Sequence, residues 1–577
     1  MPQGRRKTPF SGKAKKEQLK LKKQRQGTSR PLLLENSGDT DASNISKLNY
    51  HVKKNPDAKT NRYALAFYKE TDEEIKQRKE IARQNLVPVT EEELEIESTD
   101  FFPEDLNFPK RPEWSYQLSK CELDAKENRY FTEYLKKIET NAVNDIGFFE
   151  LNLETWRQLW RVIEMSDIVL YIVDIRFSAL MFPPSLFNYV VQDLKKDFIL
   201  VLNKIDLAPA PLVVAWKSYF DEKYPGIHIV MFTTLPGYNL IGNQGCKDGL
   251  QVRRRRGKLR MAAEGAETLL GVCKSIVGNE VDLSSWENKI QEEMNLEYEE
   301  NVKTEVGEMI VQKTIDTDFY QHEKYKNGIL TIGCVGQPNV GKSSLLNALM
   351  GKKVVSVSKT PGHTKHFQTI FLTPNIRLCD CPGLVFPSKV PKTLQVLMGS
   401  YPIAQLREPY TTVKFIAERL DLPKLLRITH PENDDTWSAM DICDGWAKKR
   451  GFLTAKAARL DSYRAANSLL RMALDGNICI CMRPPKYTCR TDFWCGHPEV
   501  QKVMWIQAKS NEQPHVEQPI LVDSDLSDKE DSTELLSSQT NSNVEEKSSE
   551  EEDDETEEEE SEEEEMNIVN RFAALQR

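Results

Sequence analysis

The chain of 577 residues is long enough for two or three domains and a full-sized core. Its 39% hydrophobic and 29% charged residues fall below and above the roughly 45–50% and 25% of globular chains, so part of it is expected to be tail. The net charge of −10 hides opposed blocks, since residues 523–565 carry −20 and the remainder therefore +10, which excludes an evenly acidic protein and points to polyanion binding with a built-in competitor, or to charge that only maintains solubility.

Residues 1–60 are basic and then polar, and read as a mobile arm. Within residues 1–30, eleven Lys or Arg face a single acid, Glu17. Runs such as "KAKKEQLKLKKQR" suit RNA or a nuclear import receptor. No early apolar h-region and no apolar run near the ~18 residues of a membrane helix is present, so no membrane partner is expected. The eleven cysteines, odd in number and scattered, fit a reduced, intracellular protein.

Residues 61–139 mix helical patterns with Pro-containing loops and carry no functional signal. From 140 to 388 the pattern becomes that of a doubly wound, mostly parallel α/β sheet. "LETWRQLWRVIEMSD" places Trp156, Leu159, Trp160 and Ile163 at helical spacing. "IVLYIVD" (168–174), "FILVLNKID" and "IHIVMF" (227–232) are continuous apolar runs of the kind buried on both faces of a parallel sheet. The segment 236–282, with "RRRRGKLR", reads as a basic surface insert. A helix is expected to start at Ser284, with Glu287 completing a capping box. Strands resume at 328–336, 366–373 and 376–380. Residues 389–505 are mostly helical, and 506–577 form an acidic Ser/Glu-rich tail expected to be disordered.

"GQPNVGKSS" (336–344) follows an apolar strand and opens a helical segment stopped by Gly351, the setting a phosphate-binding loop requires. Gly336, Gln337, Pro338, Asn339, Val340 and Gly341 form the loop whose backbone wraps the phosphates. Lys342 is placed to neutralise β/γ oxygens and Ser343 to hold Mg²⁺, with Ser344 beside it. Thr364 is a candidate switch threonine over the γ-phosphate and Mg²⁺. "DCPG" supplies Asp380, expected to hold Mg²⁺ through water, and Gly383, whose amide can sense the γ-phosphate. Asp380 stands 38 residues after Lys342 with a threonine between them, which strengthens an otherwise weak D-x-x-G. Lys342, Thr364 and Gly383 are thus the candidate catalytic positions.

"NKID" at 203–206 has the residues a guanine reader needs. Asp206 can accept from N1–H and the exocyclic amine, Asn203 can bond the opposite edge, and the Lys204 stem can cover the ring. Thr233 and Thr234 are candidates to lie against the base. No other N/T-K-x-D follows Gly383, so either the upstream run reads the base or the site is not guanine-specific. Such a run can serve a later phosphate loop, because ligands sit at the carboxyl ends of the strands whatever their chain order.

The order base reader, phosphate loop, D-x-x-G, together with "PGHTKHFQT", resembles the circularly permuted GTPases, which include RbgA-type bacterial proteins, nucleostemin and large-subunit GTPases. The resemblance spans about residues 140–485. It implies a circularly permuted P-loop GTPase fold, hydrolysis of GTP to GDP with Mg²⁺, and work in ribosome assembly on a ribosomal subunit or rRNA. It also implies a nuclear or nucleolar location with cytoplasmic shuttling. The second reading is a GTP-gated scaffold or signalling switch with little turnover. Leu384 stands where other GTPases carry a water-orienting glutamine, so slow hydrolysis without a partner or cation is expected. Asn339 matches a cation-binding asparagine of potassium-stimulated GTPases, and either binds K⁺ or shapes the turn.

Two further stretches stay open. Lys448, Lys449, Arg450, Lys456, Arg459, Arg464 and Arg471 beside Trp446, Phe452 and Tyr463 form either an RNA contact or a solvated basic helix face over an apolar core. Cys479, Cys481, Cys489, Cys495 and His497 lack common zinc spacing and read as ordinary thiols. The switch at Gly383 runs directly into 389–480, so its order or disorder is expected to reposition that region.

Overall fold

Seven consecutive buried residues, Ile168–Asp174, form β1, the central strand of the sheet in a computed structural model of the protein. The structure describes residues 71–507 except 116, 142–145, 234–237, 242–251, 256–259, 296–322, 352–353, 356–367 and 455–458. β1 pairs in parallel with β2 (Asp197–Asn203) on one side, and β2 pairs with β3 (His228–Met231). After a hairpin of β4 (Tyr238–Ile241) and β5 (Val252–Arg255), β6 (Leu330–Gly336) returns to the other side of β1. β7 (Gln368–Thr373) and β8 (Ile376–Asp380) complete the order β3-β2-β1-β6-β8-β7, in which only β7 runs antiparallel.

This register lines up the strand ends that carry chemistry. Asp174 stands opposite Asn203, Cys334 opposite Asp380, and Gly336 opposite Ile172. Residues far apart in the chain therefore share one carboxyl-end crest, where open α/β sheets bind ligands.

Twelve helices of six residues or more are described, taken in chain order. α1 (Asp72–Arg83) and α2 (Lys120–Asn141) precede α3 (Leu153–Met165). Asn152 caps α3 by accepting from Glu154 N at 3.1 Å, and the expected face Trp156, Leu159, Trp160 and Ile163 is buried. The indoles find carbonyls, Trp156 Nε1 that of Glu150 and Trp160 Nε1 that of Pro109, both at 2.9 Å. The carboxyl end of α3 is closed by Lys196, whose ammonium donates to the Ile163, Glu164 and Ser166 carbonyls at 2.7–2.8 Å.

α4 (Ala210–Lys223) follows β2, and α5 (Arg260–Val277) and α6 (Ser284–Asn295) follow the hairpin. Here the structure differs from the sequence expectation of a surface insert over 236–282. The α5 residues Ala266, Leu269, Leu270, Cys273 and Val277 are buried in the main core, so this part of the segment is structural. Ser284 does open α6; its N–H donates to Asp282 Oδ1 at 2.9 Å, and Glu287 pairs with Lys274 at 2.8 Å.

α7 (Lys342–Met350) leaves β6. Beyond β8 come α8 (Lys392–Leu397), α9 (Tyr410–Ala417), α10 (Ala439–Arg450), α11 (Ser462–Leu474) and α12 (Glu499–Ile506). These helices share one compact unit with the sheet. Their seams are hydrogen-bonded and buried: Gln395 exchanges bonds with the Phe148 backbone at 2.8 and 3.0 Å, and Trp216 Nε1 donates to Met482 O at 3.1 Å. Gly147 N and Glu150 N donate to Ser388 O and Val385 O, which fastens the chain after β8 to the segment entering α3. Among the described residues no helix is long and apolar enough to cross a membrane.

Candidate functional site

Lys204 follows the end of β2 in a left-handed conformation (φ 57°), which turns the chain into a single 3₁₀ turn, Ile205–Leu207. That turn puts three side chains to different uses. Asn203 Nδ2 donates to Val340 O at 2.7 Å, and Lys204 Nζ donates to Asn339 O at 2.6 Å. Asp206 Oδ1 accepts from Thr233 Oγ1 at 2.9 Å, with both groups buried. The structure therefore brings the upstream "NKID" run against the loop at 336–341. Gly341 (φ 99°) is required there, because a Cβ would come within 2.5 Å of Asn203 Nδ2.

Lys204 is also held from β1. Asp174 Oδ2 accepts from its ammonium at 2.9 Å, and the Arg176 guanidinium grips both Asp174 oxygens at 3.0 and 2.9 Å. Burial pushes the Asp174 carboxyl up, but the charges of Arg176 and Lys204 outweigh it and hold the group well below the usual carboxylate range. Arg176, itself buried, keeps its charge because Asp174 offsets its desolvation, and it donates onward to Ala473 O at 2.7 Å where α11 ends.

On the phosphate side, Lys342 Nζ lies buried on its own loop, donating to Gly336 O at 3.0 Å and Gln337 O at 2.7 Å. Burial lowers its pKa, with the Asp380 charge opposing. Asp380 Oδ2 stands 3.4 Å from Ser343 Oγ, while Asp380 Oδ1 is buried with no hydrogen-bond partner. Burial pushes this carboxyl up to about 6 against the pull of Lys342 and Ser343. Gly383 packs so tightly that a Cβ would lie 2.8 Å from Pro338 Cα and 3.2 Å from Lys342 Nζ. The buried Leu384 donates its N–H to Gly336 O at 3.2 Å.

The loop's remaining polar side chains face the helical region. Asn339 Nδ2 donates to Gly399 O at 2.9 Å, and Gln337 Oε1 accepts from Ser400 Oγ at 2.8 Å. Ser344 lies in the first turn of α7, half-buried. Thr234 and Thr364 lie outside the described residues.

A profile of the 50S ribosome-binding GTPase family matches residues 331–414. Guanine nucleotide-binding protein-like 1 of Mus musculus is 45% identical over 544 residues, covering 87% of this chain and 90% of the relative. The chain belongs to the guanine nucleotide-binding protein-like 1 family. This GTPase is also 33% identical to Large subunit GTPase 1 of Saccharomyces cerevisiae, over 66% of its own length and 58% of that protein's. The GNP-bound YlqF structure from T. maritima aligns with 57% of this chain and 98% of that one, at 17% identity and a TM-score of 0.32. It is thus a GTP-binding, circularly permuted P-loop GTPase, in which β1 to β3 precede the phosphate loop and β7 and β8 follow it.

Three residues that hold the candidate site were not among the sequence candidates: Asp174, Arg176 and Gln507, whose Nε2 donates to Ile205 O and Ala208 O. For Asp174 a signal existed, an acid ending a buried strand beside the crevice. Arg176 reaches Ala473 O across 297 residues and Gln507 reaches Ile205 O across 302, which no local pattern reports.

Proposed function

We propose that this GTPase hydrolyses GTP to GDP with Mg²⁺ and uses its nucleotide state to time its hold on a pre-ribosomal particle. The observation that carries the nucleotide part is the pair of bonds from Asn203 and Lys204 to the backbone of Val340 and Asn339. They join a guanine-type reader to a phosphate loop, so one nucleotide can span both.

In this reading Asp206 accepts from the guanine N1–H and exocyclic amine, oriented by Thr233. Asn203 bonds the opposite edge of the ring and the Lys204 stem covers it. The Lys342 ammonium, waiting on loop carbonyls, turns to the β/γ oxygens. Ser343 and Asp380, with Thr364, would hold Mg²⁺, and the bare buried Asp380 Oδ1 fits a hydrated cation. When bound, Mg²⁺ neutralises charge developing on the phosphates. The Gly383 amide reports the γ-phosphate. Asn339, its Nδ2 committed to Gly399 O, would offer Oδ1 to K⁺.

The ribosomal part draws on the relatives' descriptions, a large-subunit GTPase and a 50S ribosome-binding family, and on the net +10 outside the acidic tail. A second reading, a GTP-gated scaffold with little turnover, is favoured by Leu384, an apolar side chain unable to orient water. Single-turnover GTP hydrolysis with and without Mg²⁺, in K⁺ and in Na⁺, with and without ribosomal subunits, separates the two. Hydrolysis negligible under every condition leaves the scaffold. Equal rates in K⁺ and Na⁺ remove Asn339 from a cation role. Cosedimentation with subunits that weakens as salt rises is expected, and none at low salt sinks the ribosomal reading.

A further inference from the structure

The loop that carries Asp206 is buried, and its single 3₁₀ turn supplies Ile205 O with only the Ala208 N–H at 3.3 Å and gives the Leu207 and Ala208 carbonyls no donor of its own. Those carbonyls are met by residues from the far end of the chain. Gln507, immediately after α12 and 3% exposed, donates from Nε2 to Ile205 O at 2.6 Å and to Ala208 O at 2.9 Å. Cys481 Sγ adds a contact to Leu207 O at 3.6 Å. The Gln507 amide thus spans the turn from its first residue to the residue after its last. Asp206 sits between the two anchored carbonyls, and its carboxylate is fixed separately by Thr233.

We infer that Gln507 is a positioning residue for guanine recognition. It holds the backbone under Asp206 so that the carboxylate meets the base without reorganising. This rests on reading Asn203–Asp206 as the base reader. The role needs a primary amide, because both bonds come from one NH₂ and both partners are acceptors. A glutamate of the same shape has no such donor and sets oxygen against oxygen. Anchoring also explains why α12 packs on α4, the helix that leaves the reading loop.

The test follows dissociation and equilibrium binding of fluorescent GDP and XDP with the full chain. The variants are Asp206→Asn, Gln507→Met, Gln507→Glu, and each Gln507 change combined with Asp206→Asn. Asp206→Asn should lose GDP and gain XDP; an unchanged base preference would overturn the base-reader reading whatever Gln507 does. With that preference switched as expected, both Gln507 variants should release GDP about tenfold faster, Ala208 O having lost its donor and Ile205 O one of its two. The loss should shrink in the Asp206→Asn background, where GDP is no longer read. GDP release within about twofold of wild type, or an equal loss in both backgrounds, would overturn the positioning role. Should both variants unfold, hydrogen exchange on the unaltered chain decides: residues 499–507 should gain protection together with 203–208 when GDP binds, and no gain at 499–507 overturns it.

Discussion

The two halves of the proposed nucleotide site are finished to different degrees. On the base-reading side, the Asp206 carboxylate already has the Thr233 hydroxyl and Lys204 already has Asp174, while Gln507 pins the loop beneath. On the phosphate side, Lys342 rests on carbonyls of its own loop and Asp380 keeps one buried oxygen bare. A buried ionised oxygen without a partner is costly in isolation, whereas the base reader is preorganised and costs little further ordering on binding. The difference suggests that base identity is checked by a rigid frame, and that the phosphates and cation complete the other half on arrival.

The largest expected effect tests the rigid half. Asp206→Asn should reverse the preference between GTP and XTP by about 10⁴, because a site built to pair with specific N–H groups rejects a base lacking them. Competition binding reads this directly. A change much below ~10²-fold, the scale of weak apolar discrimination, would mean that the frame is not selecting the base. Next is the unfinished half, where Lys342→Met should slow single-turnover hydrolysis by about 10²–10³-fold. Guanine preference in that variant should persist, since Lys342 makes no contact with the reading loop in the bonds described above. Loss of both together would show the halves to be one unit.

How much of this was visible beforehand follows from the range of each interaction. β1, β2 and β6 are continuous apolar runs, and the phosphate loop and "NKID" need particular residue types at fixed short spacing, so a linear reading can find them. α5 was hidden because the adjoining "RRRRGKLR" dominates the local composition, although Leu269, Leu270, Cys273 and Val277 hold a buried face. Ser284 and Glu287 have capping-box spelling, but the Ser284 N–H goes to Asp282 Oδ1 and Glu287 to Lys274 of the neighbouring helix. Arg176 to Ala473 and Gln507 to Ile205 join distant segments through backbone carbonyls, which carry no residue code at all. Gln395, Gly399 and Ser400, which join 389–480 to the segment before α3 and to the phosphate loop, likewise meet partners that no local pattern reports.

A seam on the phosphate side carries a pH signature. Glu150 is buried beside the chain that follows β8 and accepts from Asn152 N at 2.8 Å. Burial pushes its pKa up to about 7 from 4.5, against the backbone N–H groups of Asn152 and Leu151. The folded state therefore binds this proton more tightly than the unfolded one. Stability should fall as pH rises from about 4.5 to about 7 and then level off, with a span of at most about 3 kcal/mol. Glu150→Gln, which keeps the acceptor, should remove that slope and match wild type at low pH. Denaturant unfolding across pH measures it, and identical slopes in the two proteins would refute the assignment.

The smallest effect is the most direct comparison, because it removes one hydroxyl from each half. Thr233→Val deletes a buried donor to the Asp206 carboxylate, and Ser400→Ala deletes a buried donor to Gln337 Oε1. A bond to a charged group contributes more than one between neutral groups, so about 1.5–3 kcal/mol is expected for the first and about 1 kcal/mol for the second. The distribution of the losses matters more than their size. Thr233→Val should weaken guanine nucleotide binding, since Asp206 loses the partner that aims it. Ser400→Ala should lower the unfolding free energy of the nucleotide-free protein while leaving base preference unchanged, because in the proposed site Gln337 belongs to the phosphate loop and not to the base reader. If Ser400→Ala altered base preference as much as Thr233→Val, strain at the helical seam would be reaching the base through the Val340 and Asn339 bonds. The two halves would then have to be treated as a single coupled loop.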